Sequence, residues 1–152
     1  MPFTIDRFTA PDGVTLRAGI TPPCASKGYV LILQGRGEFI ERYGETARDL
    51  AKRGYGTVTF DFRGHGGSTR EAPDIAMGYV RDITHYKADT RHVLDHIREQ
   101  HGIVCDGLLT HSTGGLVAMS MMLDQPDLWK SAVMVAPFFG LGGPRWFSIA
   151  AQ

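Results

Sequence analysis

Apolar and polar residues alternate through FTIDRFTAPDGVTLRAGIT, the stretch over residues 3–21. Such alternation is typical of strands with one buried face, and the turn signal Pro11-Asp12-Gly13 in its middle predicts an antiparallel hairpin. Further along, YVLILQG is a continuous apolar run that ends at a glycine, as expected of a strand buried on both faces. The segments YGTVTFD, GLLTHS and WKSAVMVAP predict three more strands.

The segments between these strands carry apolar residues at helical spacing. Residues 39–53 predict an amphipathic helix that ends at Gly54, and residues 84–101 predict a second one. LVAMSMMLD is apolar on every side, which predicts a helix buried in the centre of the protein. Strands that alternate with helices predict an α/β fold, in which the N-terminal antiparallel hairpin precedes a mostly parallel sheet. The predicted inward positions are Ile40, Tyr43, Ala47, Leu50 and Ala51 in the first helix and Tyr86, Val93, Leu94 and Ile97 in the second.

Length and composition limit the class of protein. The 152 residues suffice for a single domain with a core, and 16 basic residues balance 16 acidic ones without a long like-charge run. We therefore expect no nucleic-acid partner, and the apolar stretches are too short to cross a bilayer. Residues 1–13 lack the features of a signal peptide, and Cys24 and Cys105 form no C-x-x-C or zinc spacing. Because isolated thiols suit a reducing compartment, we expect a soluble cytoplasmic domain.

Two glycine-rich loops follow predicted strands, QGRGEF and RGHGGS. Neither completes G-x-G-x-x-G, because Ile40 and Thr69 occupy the last position, and neither is followed by the Gly-Lys-Ser/Thr of a P-loop. The sequence therefore predicts no nucleotide site and no cofactor. His92 and His96 are four residues apart on a predicted helix and could share a metal ion, but no H-E-x-x-H pattern accompanies them. A solvated helix face is the preferred interpretation, and no metal is expected.

LLTHSTGG, residues 108–115, places Ser112 between a predicted strand and a predicted helix. This is the context of the G-x-S-x-G nucleophile turn, in which the residues two before and two after the serine are small so that strand and helix can approach. Those positions hold Thr110, a departure from the motif, and Gly114. The N–H of Thr113, at the helix N-terminus, would face the oxyanion formed when Ser112 attacks a carbonyl. The alternative is that Ser112 only caps the helix.

Three segments together, LILQGRGEFIERY, VTFDFRGHGGST and LLTHSTGG, resemble in order and spacing three signature segments of the α/β-hydrolase fold. The resemblance is to the lysophospholipase and monoacylglycerol lipase group of serine hydrolases and covers nearly the whole chain. It implies hydrolysis of carboxylic esters, with a small-molecule or lipid ester as substrate and Ser112 as the catalytic nucleophile. Thioesterase or acyltransferase chemistry is the near alternative within this fold.

The resemblance assigns the first glycine-rich loop to the oxyanion hole. The family usually has His-Gly-x-Gly-Glu where this sequence has Gln34-Gly35-Arg36-Gly37-Glu38, so the matching oxyanion donor is the backbone N–H of Arg36. Gly35 and Gly37 would support this loop, and Gln34, which replaces the histidine, is expected to brace it through its amide.

The second loop, residues 61–68, matches the family's Asp-x-Arg-Gly-His-Gly-x-Ser. By that resemblance, Asp61 and Arg63 pin the loop while its glycines allow tight turns. His65 is expected to be a hydrogen-bonding strut in this loop, with catalytic base as the alternative.

A catalytic acid and base are missing downstream of the nucleophile. The fold's triad order is Ser, then Asp or Glu, then His, yet residues 113–152 contain no histidine or glutamate. Their acids, Asp124 and Asp127, lie at the far end of the helix, and the ring of His111 is expected to point away from Ser112. Residues 141–152 resemble the start of the cap segment of this family. The sequence therefore predicts a domain truncated before the cap and the last strands, and poorly active as this chain.

A hypothesis from another class is a non-catalytic α/β-hydrolase remnant that binds a ligand or partner. Without further strands, WKSAVMVAP would leave an open apolar sheet edge, through which the chain could associate with itself.

Overall fold

A computed structural model describes residues 3–74 and 76–139. The predicted start of a cap, residues 141–152, lies outside the described residues. In chain order the elements are β1 (Thr4–Thr9), β2 (Thr15–Thr21), β3 (Tyr29–Leu33), a 3-10 turn (Ile40–Tyr43), α1 (Gly44–Lys52), β4 (Gly56–Asp61), α2 (Ile83–His101), β5 (Cys105–His111), α3 (Thr113–Asp124) and β6 (Ser131–Val135).

The described strands form one six-stranded sheet in the order β1-β2-β4-β3-β5-β6. β1 pairs with β2, and β2 with β4, in antiparallel orientation. The pairs β4–β3, β3–β5 and β5–β6 are parallel. The predicted α/β fold with a mostly parallel sheet and an N-terminal antiparallel hairpin is confirmed. Because the parallel strands run in one direction, the loops that follow β3, β4 and β5 lie along the same edge of the sheet.

The two predicted amphipathic helices are present, with one difference in detail. The first begins as a 3-10 turn at Ile40 and becomes an α-helix only at Gly44. In α2 the side chain of Asp82 accepts a hydrogen bond from the N–H of Thr84, and Gly102, at φ 66°, ends the helix in the left-handed conformation that favours glycine. Tyr86, Val93 and Ile97 are buried and Leu94 is half-buried against the core, as predicted.

Helix α3 differs from the prediction. Gly114, Val117, Ala118 and Met121 are buried, but Leu123 is 80% exposed. The expectation of a helix buried on every side is therefore wrong within the described residues, where α3 packs mainly against the sheet and α2 and leaves its remaining face exposed. The uniform apolar character of its sequence does not reveal which face the sheet covers.

Two further observations bear on the expectations from composition. No helix in the described part of the chain is long and apolar enough to cross a membrane. Cys24 and Cys105 are both free thiols, the first exposed and the second buried.

Candidate active site

Ser112 is the single residue between β5 and α3. Its φ of 49° and ψ of −115° lie in a sparsely populated region that costs a non-glycine residue about 1–3 kcal/mol. The N–H of Ser112 donates to the carbonyl of Val135 at 3.1 Å, and its carbonyl accepts from the N–H groups of Gly115 and Phe138. In the described chain, the half-buried side chain makes no capping hydrogen bond to α3. Helix capping therefore does not account for this serine.

The glycines after Ser112 allow the helix to approach the sheet. A Cβ atom on Gly114 would lie 2.3 Å from the carbonyl oxygen of Leu33 and 2.8 Å from that of Gln34, and a Cβ on Gly115 would lie 2.7 Å from the Cβ of Pro137. These distances are far shorter than any real contact of a Cβ atom. The start of α3 is thus packed directly against the end of β3 and the predicted oxyanion loop.

Glu38 ties the predicted oxyanion loop to its surroundings. Its Oε2 accepts hydrogen bonds from the N–H of Gly35 at 2.7 Å and the hydroxyl of Tyr43 at 2.6 Å, and it lies 3.1 Å from Nδ1 of His111. Burial raises the pKa of Glu38, but these hydrogen bonds outweigh it and lower the pKa below its usual value. The carboxylate therefore stays charged and joins the loop that carries Arg36 to the end of β5.

This connection was not predicted from the sequence. Glu38 belongs to a recognised motif, but nothing in the spacing of Tyr43 and His111 shows that both contact the same oxygen. The ring of His111, expected to point away from the nucleophile, lies against Glu38. The side chain of Arg36 donates to the carbonyl of Met77 at 3.2 Å. The predicted oxyanion donor of this residue is its backbone N–H, which this contact does not involve.

Gln34 does not form the brace expected of its amide. The residue is fully buried, yet neither its Nε2 nor its Oε1 has a hydrogen-bond partner among the described residues. Leaving a buried amide unpaired is costly. In this structure the Gln34 side chain fills buried space and forms no hydrogen bond to the loop.

Asp61 connects the loop after β4 with the one after β3. Its buried carboxylate accepts from Nε of Arg17 at 2.6 Å, from the N–H of Ile40 at 2.9 Å and from the N–H of Gly67 at 2.7 Å. The hydroxyl of Ser68 donates to the Asp61 carbonyl at 2.6 Å. A carboxylate with several charge-assisted hydrogen bonds holds both loops in one geometry.

Arg63 fastens the same loop to α2. Its guanidinium donates from Nε and one terminal nitrogen to the two carboxylate oxygens of Asp89, at 2.8 and 2.5 Å, and also to Asp12 at 2.7 Å. Arg63 and Asp89 are both almost fully buried. The hydrogen bonds that Arg63 donates to Asp89 raise the pKa of Arg63 above its usual range, as expected for a charged bidentate pair.

His65 lies buried in this loop, with Nδ1 3.1 Å from the carbonyl oxygen of Arg63. A carbonyl only accepts, so Nδ1 carries the proton. Burial lowers the pKa of His65, which favours the neutral ring. Its Nε2 has no partner among the described residues.

The other histidines with observed partners contact groups elsewhere. His85 lies 3.3 Å from Arg63, and His96 and His101 contact Asp6. Within residues 3–74 and 76–139, no hydrogen bond joins a histidine to the Ser112 side chain. The described structure thus brings the predicted nucleophile next to the predicted oxyanion loop, without a base.

Comparison with known proteins identifies the family and supports the fold. The sequence matches the profile of a family described as serine aminopeptidase, S33, over residues 25–152. It is 28% identical over 122 residues to a probable lysophospholipase L2 of Haemophilus influenzae, covering 80% of this chain and 38% of that protein. It is 30% identical over 129 residues to a monoglyceride lipase homologue of Monkeypox virus, covering 83% of this chain and 44% of that protein.

A solved structure supports the fold. The α/β hydrolase GrgF from Penicillium sp. superposes with a TM-score of 0.74 at 21% identity, covering 90% of this chain and 46% of that one. The chain spans less than half the length of each of these three proteins. With the strand order, the turn at Ser112 and the family profile in agreement, the chain has the α/β-hydrolase fold and belongs to the serine aminopeptidase S33 family of hydrolases.

Proposed function

We propose that this chain carries the nucleophile and the oxyanion hole of a serine hydrolase that cleaves carboxylic esters of the lysophospholipid or monoacylglycerol type. The observation that carries the proposal is the half-exposed Ser112, held in a strained conformation with no capping role in the described structure. Such strain persists only where the surrounding structure enforces it, and it is concentrated at functional sites. The substrate class rests on the relatives, a probable lysophospholipase and a monoglyceride lipase homologue.

In this proposal, Ser112 Oγ attacks the ester carbonyl carbon and forms a tetrahedral intermediate. The negative charge that develops on the carbonyl oxygen is stabilised by the backbone N–H groups of Thr113 and Arg36 and by the N-terminus of α3. Collapse of the intermediate expels the alcohol, which takes up the proton of the Ser112 hydroxyl by way of the base, and leaves an acyl group on Ser112, which water then removes as the carboxylic acid. Glu38 acts as a positioning residue, because it holds the Arg36 loop against the end of β5.

The proposal takes no general base from the histidines of the described structure. His65 is buried with its Nδ1 on a backbone carbonyl, and His111 is paired with Glu38. No histidine follows Ser112 in the sequence. The proposal therefore requires a base and an acid that the described residues do not supply. This chain alone should hydrolyse esters slowly, because only the oxyanion hole and substrate binding would then accelerate the reaction.

The test is prolonged labelling by a fluorophosphonate probe with imidazole present as an external base, because the described structure offers Ser112 no histidine base, and the modified peptide is identified by mass spectrometry. We expect modification at Ser112, loss of labelling in Ser112→Ala, and unchanged labelling in the matched control Ser120→Ala, whose serine lies within α3. Adding imidazole as an external base should speed hydrolysis of an activated ester by the native chain more than by Ser112→Ala. No labelling at Ser112, or equal imidazole rates for the two proteins, would refute the proposal.

A specific observation favours a second candidate function, the binding of a partner or a second copy through β6. This strand is at the edge of the described sheet, and Val133 and Val135 are 59% and 50% exposed. An exposed apolar edge is a template for strand addition. Concentration-dependent dimerisation in sedimentation that Val133→Lys abolishes, together with no labelling of Ser112, would favour this function over hydrolysis.

A further inference from the structure

A cluster of metal-ligating side chains lies at the β1 edge of the sheet, away from Ser112. Asp6 is on β1, and His96 and His101 are in the C-terminal part of α2. The Nε2 atoms of His96 and His101 lie 3.0 and 2.8 Å from the same carboxylate oxygen of Asp6. One ligand atom from each of the three residues lies within 4.8 Å of the other two.

The cluster is held in place before any ion binds. The ring of His96 stacks on Phe8, with centroids 4.0 Å apart and planes 9° from parallel. Phe8 and Asp6 are alternate residues of β1, so their side chains point to the same face of the strand, towards α2. The side chains of His96 and Asp6 are 22% and 23% exposed and that of His101 is 36% exposed, so solvent and ions can reach the cluster.

We infer that Asp6, His96 and His101 form a site for a divalent transition-metal cation, of which Zn²⁺ is favoured. Two imidazole nitrogens and one carboxylate oxygen are ligands that Zn²⁺ commonly takes, with water in the fourth position. Tetrahedral zinc with bonds of about 2.0–2.1 Å separates neighbouring ligand atoms by about 3.3–3.4 Å. The nitrogen–oxygen distances of 3.0 and 2.8 Å need to widen by only a few tenths of an ångström.

Metal binding would displace the protons that the unliganded cluster holds on its Nε2 atoms. Asp6 accepts from both rings in the structure, so each Nε2 carries a proton there, whereas a metal ligand must be unprotonated. Metal binding at Nε2 therefore requires the tautomer with the proton on Nδ1, and it would fasten the edge strand β1 to the end of α2.

The experiment is calorimetric titration of ZnCl₂ into the chelator-treated, tag-free protein. All proteins carry Cys24→Ser, because the exposed thiol of Cys24 could itself bind zinc. We expect saturable binding of one equivalent of Zn²⁺. His101→Asn and Asp6→Asn should each weaken the affinity at least about tenfold, while the matched control His92→Asn, on the same helix, should not.

Co²⁺ provides a second readout through the visible absorption that marks its tetrahedral coordination. This absorption should appear in the parent protein and in His92→Asn and be lost in His101→Asn. Circular dichroism confirms that each variant is folded, which is expected for His101 because it is partly exposed at the helix end. Absence of saturable Zn²⁺ binding, or equal affinity in His101→Asn and the parent, overturns the inference.

Discussion

Glycine at position 112 should give a more stable protein than alanine at the same position. Both substitutions delete the hydroxyl of Ser112, which caps nothing in the described structure. Alanine keeps the Cβ atom and with it the strain of a φ of 49°, whereas glycine adopts this conformation freely. The difference between the two variants therefore reports the backbone strain at the turn, separately from catalysis.

The size of the effect follows from two opposing terms. The strain at Ser112 is worth about 1–3 kcal/mol, and glycine loses about 0.4–1 kcal/mol through the greater freedom of its unfolded chain. The net advantage of Ser112→Gly over Ser112→Ala is therefore about 0–2.6 kcal/mol, with a midpoint of about 1.3 kcal/mol. For a chain of this size the midpoint corresponds to a difference of about 3–5 °C in Tm.

Urea unfolding and thermal melting of the two variants measure this difference. Ser120 provides a matched control, because it lies within α3, where alanine is favoured over glycine by about 1 kcal/mol. The order of stability should thus be glycine over alanine at position 112 and the reverse at position 120. If Ser112→Gly is no more stable than Ser112→Ala, the turn is not strained and the main support for a nucleophile is lost.

Three further substitutions test the packing and charges around the site. Gly114→Ala places a Cβ atom 2.3 Å from the Leu33 carbonyl oxygen, so it should cost about 1–3 kcal/mol in urea unfolding and abolish fluorophosphonate labelling. Asp89→Asn removes the bidentate partner of the buried Arg63 and should lower the free energy of unfolding by about 3–5 kcal/mol. Burial raises the pKa of Glu38, but its hydrogen bonds outweigh burial and lower the pKa below the usual 4.5. The ionised Glu38 therefore stabilises the folded state above about pH 4.5, and this stabilisation is lost as the pH falls through the lowered pKa. Glu38→Gln should therefore destabilise the protein at about pH 7, and the destabilisation should shrink progressively as the pH falls below about 4.5.

Each of these substitutions has a control of the same residue type at another position. Gly107→Ala, on β5, places a Cβ atom 3.2 Å from a side-chain methyl of Val30, and its other neighbours lie 3.7 Å or more away, so it should leave labelling intact. Asp95→Asn, exposed on α2, and Glu45→Gln, exposed on α1, should change stability by less than about 0.5 kcal/mol. Normal labelling in Gly114→Ala, a loss below about 1 kcal/mol in Asp89→Asn, or a Glu38→Gln effect that is independent of pH would contradict the respective arguments.

The order of elements could be predicted from the sequence because each buried strand is short, apolar and followed by glycines. The turn at Ser112 could also be predicted, because Gly114 and Gly115 meet the steric requirement of the motif. Contacts between side chains that are distant in the sequence could not be predicted. Asp6 and His96 are 90 positions apart and meet only because β1 and α2 pack together, and two histidines five positions apart match no zinc motif. The unpaired amide of Gln34 likewise depends on exact surroundings that no local pattern encodes.

The placement of buried polar groups shows which part of the sheet is organised for function. Gln34 follows β3, Arg63 and His65 follow β4, and Thr110 lies near the end of β5, so all four lie towards the carboxyl edge of the sheet. Burying such groups is costly, and replacing them by apolar residues would often be neutral or stabilising. Stability alone therefore does not explain why they are gathered at one edge. Arg63 and His65 instead hold the loop after β4 through their hydrogen bonds, whereas the side chains of Gln34 and Thr110 have no partner among the described residues. Loops held in one geometry are what the proposed oxyanion hole requires before substrate arrives.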